Sequence, residues 1–196
     1  MSLFDKTKSN KISNNLVLTF RYIVLIMAFL FVGMLTNGHN LKAANVAKNS
    51  AGTEYGTLQA AIDATSDDTI TLLSDVSECV TVAAGKTIFL DLNNLTLRCE
   101  SSEEIRSVGI ENSGTLTVSK GTIIVNNTYA NEVSNGTGAA WGIYQHGSSS
   151  KVTIDEVNIT VSSLTNVAST SGIQHESGDV IINNSVINAV SENSES

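Results

Sequence analysis

The chain has 196 residues, and 19 acidic against 11 basic side chains give it a net charge of −8. Only five lysines and arginines follow residue 50, so the chain has no basic patch that could neutralise phosphates, and we exclude nucleic acid as a partner. Proline is absent from the sequence, which suits a protein of many paired strands, because proline cannot donate to a strand ladder.

Residues 1–44 show the order of charge, apolar core and small residues that is typical of a secretory signal peptide. Four basic residues precede an apolar run of fourteen residues, Tyr22–Leu35, and Ala43 and Ala44 offer a cleavage position. The run is shorter than the roughly 20 residues that span a bilayer, which favours cleavage. An uncleaved membrane anchor is the alternative. Either way, we expect the rest of the chain to be extracellular or at the cell surface, touching a membrane only through this segment.

Residues 45–68 are predicted to form a linker and a short helix. Within the stretch Thr57–Ala64, Leu58, Ala61 and Ile62 have the i, i+3, i+4 spacing of a helix with one apolar face. One or two turns are too short to be stable alone. We therefore expect this helix to cap the open end of the strands that follow, where it would cover apolar side chains and block edge pairing.

From residue 69 onward the sequence predicts short strands in an inexact repeat. Apolar residues recur at offsets 0, 2, 7 and 9 from four starting positions, which are 28, 36 and 28 residues apart. The two-residue spacing within each pair is typical of strands with one buried face. We expect all sixteen residues to point inward: Ile88, Leu90, Leu95, Leu97, Leu116, Val118, Ile123, Val125, Val152, Ile154, Ile159, Val161, Val180, Ile182, Ile187 and Ala189.

A third short strand precedes each start, and Thr128–Ala140 is predicted to be an inserted loop that accounts for the longer interval. Three strands and three turns in each unit predict an all-β fold, a right-handed parallel β-helix solenoid over residues 69–196, because crossovers between parallel strands are overwhelmingly right-handed. No capping helix follows the last unit, so we expect the chain to be truncated at its C-terminus. The third strands are Val80–Val82, Val108–Ile110, Trp141–Ile143 and Ser171–Ile173.

Three motifs follow one another in the first half of the chain. They are a Tyr-x-Thr-Leu-x-x-Ala-Ile helix from Tyr55, an Asp-Thr-Ile-x-Leu-Leu strand from Asp68, and a Gly-Lys-x-Ile-x-Leu-Asp-Leu-Asn strand from Gly85. Residues 50–127 thereby resemble bacterial adhesin-like surface proteins with a right-handed parallel β-helix of the pectate-lyase-like fold. That family usually has glycine where this chain has Asp67. The resemblance implies an architecture and no activity, because such proteins are mostly adhesin-like while some are polysaccharide lyases or hydrolases.

Asp91 and Asp155 are the weak catalytic candidates. They share one offset and lie two units apart, about 9.6 Å along the axis at the usual strand spacing. This separation is near the upper limit for the carboxyl groups of inverting glycosidases. Ser119 and Asn183 fill the same offset, however, and turns select all of these residue types. We therefore expect turn roles, and we expect no enzymatic activity from this chain.

The weak candidates for ligand binding are aromatic and imidazole side chains. Trp141 and Tyr144 adjoin the predicted loop and could stack on a sugar ring, although the simpler interpretation is that they cover the outer face of a strand. His146 and His175 each follow a Gly-Ile strand and could lie close together as metal ligands. A third ligand would have to come from Glu176 or a loop, so exposed turn roles are simpler, and we predict no metal and no cofactor.

Cys79 and Cys99 are the two cysteines of the chain. In a secreted protein an even number of cysteines favours a disulfide, and these two lie near strand ends about one unit apart. Two buried or free thiols are the alternative.

The predicted function is structural or adhesive, with a glycan or a host or matrix surface ligand as the partner. The alternative is the N-terminal part of a carbohydrate-active enzyme, a polysaccharide lyase or glycoside hydrolase.

Overall fold

The structure is a computed structural model that describes residues 44–102, 106–128, 139–163 and 169–191. Residues 1–43 of the predicted signal peptide or anchor lie outside the described residues, as does most of the predicted loop. Within the described ranges, no helix is long and apolar enough to cross a membrane. The fold of this part is all-β with parallel sheets, as predicted, and it contains one short helix.

The elements follow one another as short strands joined by tight corners, apart from two strands of thirteen residues. In chain order they are β1 (Ala47–Asn49), β2 (Glu54–Tyr55), α1 (Leu58–Asp63), β3 (Asp67–Leu72), β4 (Val76–Ser77), β5 (Val80–Val82), β6 (Thr87–Asp91), β7 (Thr96–Ser101), β8 (Arg106–Asn112), β9 (Thr115–Asn127), β10 (Ala139–Gln145), β11 (Lys151–Ser163), β12 (Thr170–His175), β13 (Asp179–Asn183) and β14 (Val186–Ser191).

The strands form two sheets. The larger sheet has ten strands, and its main path runs in the order β13-β11-β9-β6-β3-β1-β2. Strand β14 pairs with β11, while β7 joins β4 to β9. The smaller sheet has the order β12-β10-β8-β5. Among these pairings, only those of β1 with β2 and with β3 are antiparallel. Strands β1 and β2 lie in the segment that the sequence suggested was mainly linker.

The apolar positions of the larger sheet fall into register columns. Leu90 pairs with Val118, Val118 with Ile154, and Ile154 with Ile182. The first three are buried, but Ile182 is 47% exposed. The four residues of the last unit are in register with inward residues of β11, as predicted, but they are not buried, because no described strand pairs with the outer edges of β13 and β14. Val180 and Ile187 are only partly buried, and Ile182 and Ala189 are exposed.

The predicted register of β7 is wrong by two residues. Leu97, rather than Leu95, pairs with Ile123. The reason is the length of the corner before β7. Four residues, 92–95, separate the paired ends of β6 and β7, whereas two residues, 120–121, separate the equivalent positions of β9. The longer corner shifts the following strand by two positions and leaves Leu95 only partly buried.

The predicted register of β5 is also wrong by two residues, since Val80 pairs with Ile110 and not with Val108. The segment just before β5 is bonded to helix α1 through Glu78. The Glu78 carboxylate accepts the backbone N–H groups of Leu58 and Gln59 at 3.0 and 3.1 Å, at the N-terminus of α1. In the later strands the alignment is as predicted, with Trp141 opposite Val108 and Ser171.

Helix α1 lies within the predicted stretch Thr57–Ala64 and buries the predicted face. Thr57 is its N-cap, and the hydroxyl oxygen accepts the N–H of Ala60 at 3.1 Å. The Lys86 ammonium group donates to carbonyl oxygens at the C-terminal end of the helix, including that of Ile62 at 2.9 Å. The helix is therefore tied at both ends to the strands beside it. Its buried residues are Leu58, Ala61 and Ile62.

Cys79 and Cys99 form a disulfide, with their Cα atoms 4.9 Å apart. The bond links the segment before β5 to β7, and Cys99 is buried. Of the two alternatives that the sequence left open, the structure therefore contains the disulfide.

Candidate functional site

Three ring side chains form a line along the outer face of the smaller sheet. Trp141 and Tyr144 lie on β10 with ring centroids 5.0 Å apart, and His146 follows at 4.7 Å from Tyr144 with an interplanar angle of 26°. Each is partly exposed, while Ile143 and Gln145 between them are buried. Gly142 and Ile143 are both buried, so strict alternation is interrupted between Trp141 and Tyr144, and the ring contacts themselves show that the three rings share one face. We call Trp141, Tyr144 and His146 the aromatic strip.

A guanidinium group lies over the first two rings of the strip. The Arg106 Cζ atom is 5.0 Å from the Trp141 ring centroid and 5.3 Å from that of Tyr144, within the range of cation–π contacts. In the described ranges, Arg98 pairs with Glu100, and no carboxylate lies within ion-pair distance of Arg106.

His146 is fixed at the far end of the strip by two polar groups. Its Nε2 atom lies 3.0 Å from Oε1 of Glu111 and 3.0 Å from Oγ of Ser113. The side chains of His146 and Glu111 are 31% and 33% exposed, so a ligand can reach both. The pair therefore presents an oriented imidazole and a carboxylate at the surface.

Tyr144 hydrogen bonds to Glu176 from the chain after β12. This bond raises the pKa of the Tyr144 hydroxyl, and burial and the negative charge of Glu176 raise it further. The hydroxyl group of the middle ring therefore keeps its proton to a higher pH than a free tyrosine does.

A polar cleft of about 380 Å³ begins where the aromatic strip ends. Three successive turns line it, at residues 84–87, 113–115 and 147–149. Its walls consist of backbone, glycine, Ala84 and residues that carry hydroxyl groups, together with Lys86, whose ammonium group contacts the carbonyl oxygens of α1. Ser113 belongs to this turn cleft and also contacts His146 of the strip.

Beneath the strip lies a buried chain of polar side chains that the sequence analysis missed. Nδ2 of Asn112 donates to Oε1 of Gln145 at 2.6 Å, and Nε2 of Gln145 donates to Oγ of Ser150 at 2.6 Å. All three residues are buried. Gln145 directly precedes His146, for which the sequence favoured an exposed turn role, yet Gln145 is buried. The alternation of outward Tyr144 and His146 about it is the signal that could have shown its inward direction.

The weaker alternative, in which His146 and His175 lie side by side as metal ligands, does not match the register. Gln145 pairs with His175, because His146 is the third residue after Ile143 whereas His175 is the second after Ile173. His175 is exposed, and its Nε2 lies 3.0 Å from the Gly178 carbonyl oxygen. In the part of the chain that the structure describes, no group of three His, Cys, Asp or Glu side chains is placed to hold a metal.

Asp91 and Asp155 lie on the larger sheet and not beside the aromatic strip. Both are in register with Ser119, one on each side, as the spacing predicted. Oδ1 of Asp91 accepts the N–H of Asn93 at 2.9 Å, and Oδ1 of Asp155 accepts an amide N–H of Asn184 at 3.1 Å. These contacts are those of residues that stabilise turns.

The strip and the turn cleft thus combine aromatic faces, a guanidinium group, an imidazole, carboxylates and hydroxyl groups on one side of the smaller sheet. No family model, curated protein or solved structure matches the chain. The chemistry of these side chains therefore carries the functional argument.

Proposed function

We propose that the chain is a non-enzymatic, adhesin-like protein that is secreted or held at the cell surface, and that it binds a glycan on the aromatic strip. We further propose that its sheets form a right-handed parallel β-helix. The register columns, the parallel pairing and the general handedness of crossovers support this architecture. The resemblance at Tyr55, Asp68 and Gly85 to adhesin-like surface proteins supports the same proposal.

The observation that carries the binding proposal is the line of rings at Trp141, Tyr144 and His146, with Arg106 and Glu111 beside them. A pyranose has apolar C–H faces and a rim of hydroxyl groups. Aromatic faces pack against the former, and charged groups make their strongest hydrogen bonds with the latter. A few convergent polar groups beside an apolar surface are what orient a small ligand.

Location outside the cytoplasm is supported by the disulfide between Cys79 and Cys99, since such bonds persist in oxidising compartments. The order of charge and apolar residues in 1–44 supports secretion as well. N-terminal sequencing of the protein recovered outside the cell tests this part. An intact Met1 in the cytosolic fraction would contradict it, and an intact Met1 in the membrane fraction would select the anchor.

Binding is tested by screening the purified protein on a glycan array and titrating the glycans that it retains. We expect Trp141→Ala to weaken binding at least about tenfold, because the largest ring of the strip is lost. The matched control is Phe89→Ala, which removes an aromatic ring 46% exposed on the larger sheet and should leave binding unchanged.

The same assay tests the alternative that the chain is part of a carbohydrate-active enzyme. That alternative rests on Asp91 and Asp155, whose carboxylates are engaged in turn contacts. Binding without turnover supports the adhesive role. Release of reducing or unsaturated ends that is lost in Asp91→Asn or Asp155→Asn would overturn it.

A further inference from the structure

We propose that the aromatic strip and the turn cleft form one continuous site for a linear, uncharged oligosaccharide. The sugar chain lies along the exposed edges of Trp141, Tyr144 and His146, and its end enters the cleft at Ser113. This inference rests on the proposed glycan-binding function and extends it to a ligand class and a second subsite.

Continuity of the two parts is the first support. His146 ends the strip, and the next residues, Gly147 to Ser149, form one wall of the cleft. Ser113 contacts the His146 ring and lines the cleft in the neighbouring turn, 113–115. A ligand that follows the rings therefore meets the cleft without leaving the surface.

The spacing of the rings is the second support. The centroids of Trp141 and Tyr144 are 5.0 Å apart, and those of Tyr144 and His146 are 4.7 Å apart. At these distances the rings contact one another, and the Arg106 guanidinium lies over the first two, so the strip is one uninterrupted surface along which an elongated ligand can lie.

The charges favour an uncharged ligand. Around the strip, the carboxylates of Glu111 and Glu176 outnumber the Arg106 guanidinium, and the whole chain carries a net charge of −8. In the cleft, the Lys86 ammonium group is engaged with α1. A polyanion would be repelled by this field. Hydroxyl and backbone groups bind hydroxyl groups without that cost.

Buried hydrogen bonds beneath the surface fix the shape of the site. The hydrogen bonds from Asn112 to Gln145 and from Gln145 to Ser150 connect β8, β10 and the end of the turn 147–149 beneath both parts of the site. Ser150 Oγ also donates to the Gly147 carbonyl at 2.6 Å. A surface that is ordered before binding loses less conformational entropy when it takes up a ligand.

The test is calorimetric titration with cello-, manno- and chito-oligosaccharides, from the monosaccharide to the hexasaccharide, and with oligogalacturonides of the same lengths. We expect affinity for the neutral series that the protein binds to rise about tenfold or more between the disaccharide and the tetrasaccharide. Ser148→Leu, which fills the cleft at an exposed position, should remove this gain and leave disaccharide affinity unchanged. Ser77→Leu, at an exposed position on β4, is the matched control.

Each other outcome has a definite meaning. If no oligosaccharide of any class binds, the proposed function fails. If glycans bind and Trp141→Ala abolishes binding, but affinity does not depend on length or Ser148→Leu has no effect, the continuous site is overturned while the proposed function stands. If oligogalacturonides bind as tightly as the neutral series, the uncharged class is overturned.

Discussion

Asn112 and Gln145 are 33 residues apart in the chain, yet their side-chain amides meet at 2.6 Å in the buried interior. They belong to the adjacent strands β8 and β10 and are directly paired in register. Since buried amides cost free energy unless they are hydrogen bonded, this pair specifies how the two strands align beneath the aromatic strip.

Replacing Gln145 by leucine should therefore destabilise the protein. The variant removes two short hydrogen bonds, although Asn112 Nδ2 keeps the carbonyl oxygens of Gly114 and Lys151, and each lost bond costs about 0.5–1.5 kcal/mol. We expect the melting temperature to fall by about 3–10 °C. Gln174→Leu, at a partly exposed position of β12, is the control, and equal melting of both variants would contradict a structural role for the buried amide.

Ile154 and Ile182 give a sharper test, because they are neighbours in one register column with opposite exposure. Ile154 is wholly buried, whereas Ile182 is 47% exposed. An unpaired buried carboxylate costs several kcal/mol, a large part of the roughly 5–15 kcal/mol that stabilises a domain. Ile154→Asp should thus abolish cooperative unfolding in urea, while Ile182→Asp retains it. Loss of folding in Ile182→Asp would show that its face is covered.

The register columns of the larger sheet could be predicted because the apolar residues that form them repeat at regular intervals in the sequence. Leu90, Val118 and Ile154 recur at fixed offsets, and alternation alone gives their direction. The register of β7 could not be predicted, since its four-residue corner, 92–95, ends in Leu95, which falls at an apolar offset and has the pattern of a strand residue. The contact of Ser113 with His146 could not be predicted either. The two residues are 33 positions apart, and their contact depends on the registers of both β8 and β10.

The close approach of the two sheets at Gly142 leaves no room for a side chain. A Cβ atom there would lie 2.4 Å from the carbonyl oxygen of Gly172 and 2.5 Å from Cγ2 of Ile159. We expect Gly142→Ala to destabilise the protein by about 1–3 kcal/mol or more, because backbone must move. At Gly56 nothing lies within 4 Å, so Gly56→Ala should be nearly neutral in the same urea titration. Equal midpoints would refute the tight contact.

The disulfide between Cys79 and Cys99 should contribute measurably to stability. It closes a loop with a sequence separation of 20, for which the chain-entropy model gives about 3 kcal/mol. Adding dithiothreitol should therefore lower the urea midpoint of the wild type. The double variant Cys79→Ala with Cys99→Ala should start from the lower midpoint and not respond to the reductant. A wild-type midpoint that is insensitive to reduction would contradict this contribution.

Ionisation of Tyr144 should lower the stability of the folded protein at alkaline pH. Its hydrogen bond to Glu176, with burial as the second cause, raises its pKa above the ordinary 10.0. A raised pKa means that the folded protein holds the proton more tightly than the unfolded chain. The resulting stabilisation is therefore complete below pH 10 and is lost as pH rises through the folded pKa. In an ultraviolet titration of the tyrosines, one group should ionise late in the wild type and be missing in Tyr144→Phe. The control Tyr55→Phe should keep the late phase, and its persistence in Tyr144→Phe would assign the raised pKa to another tyrosine.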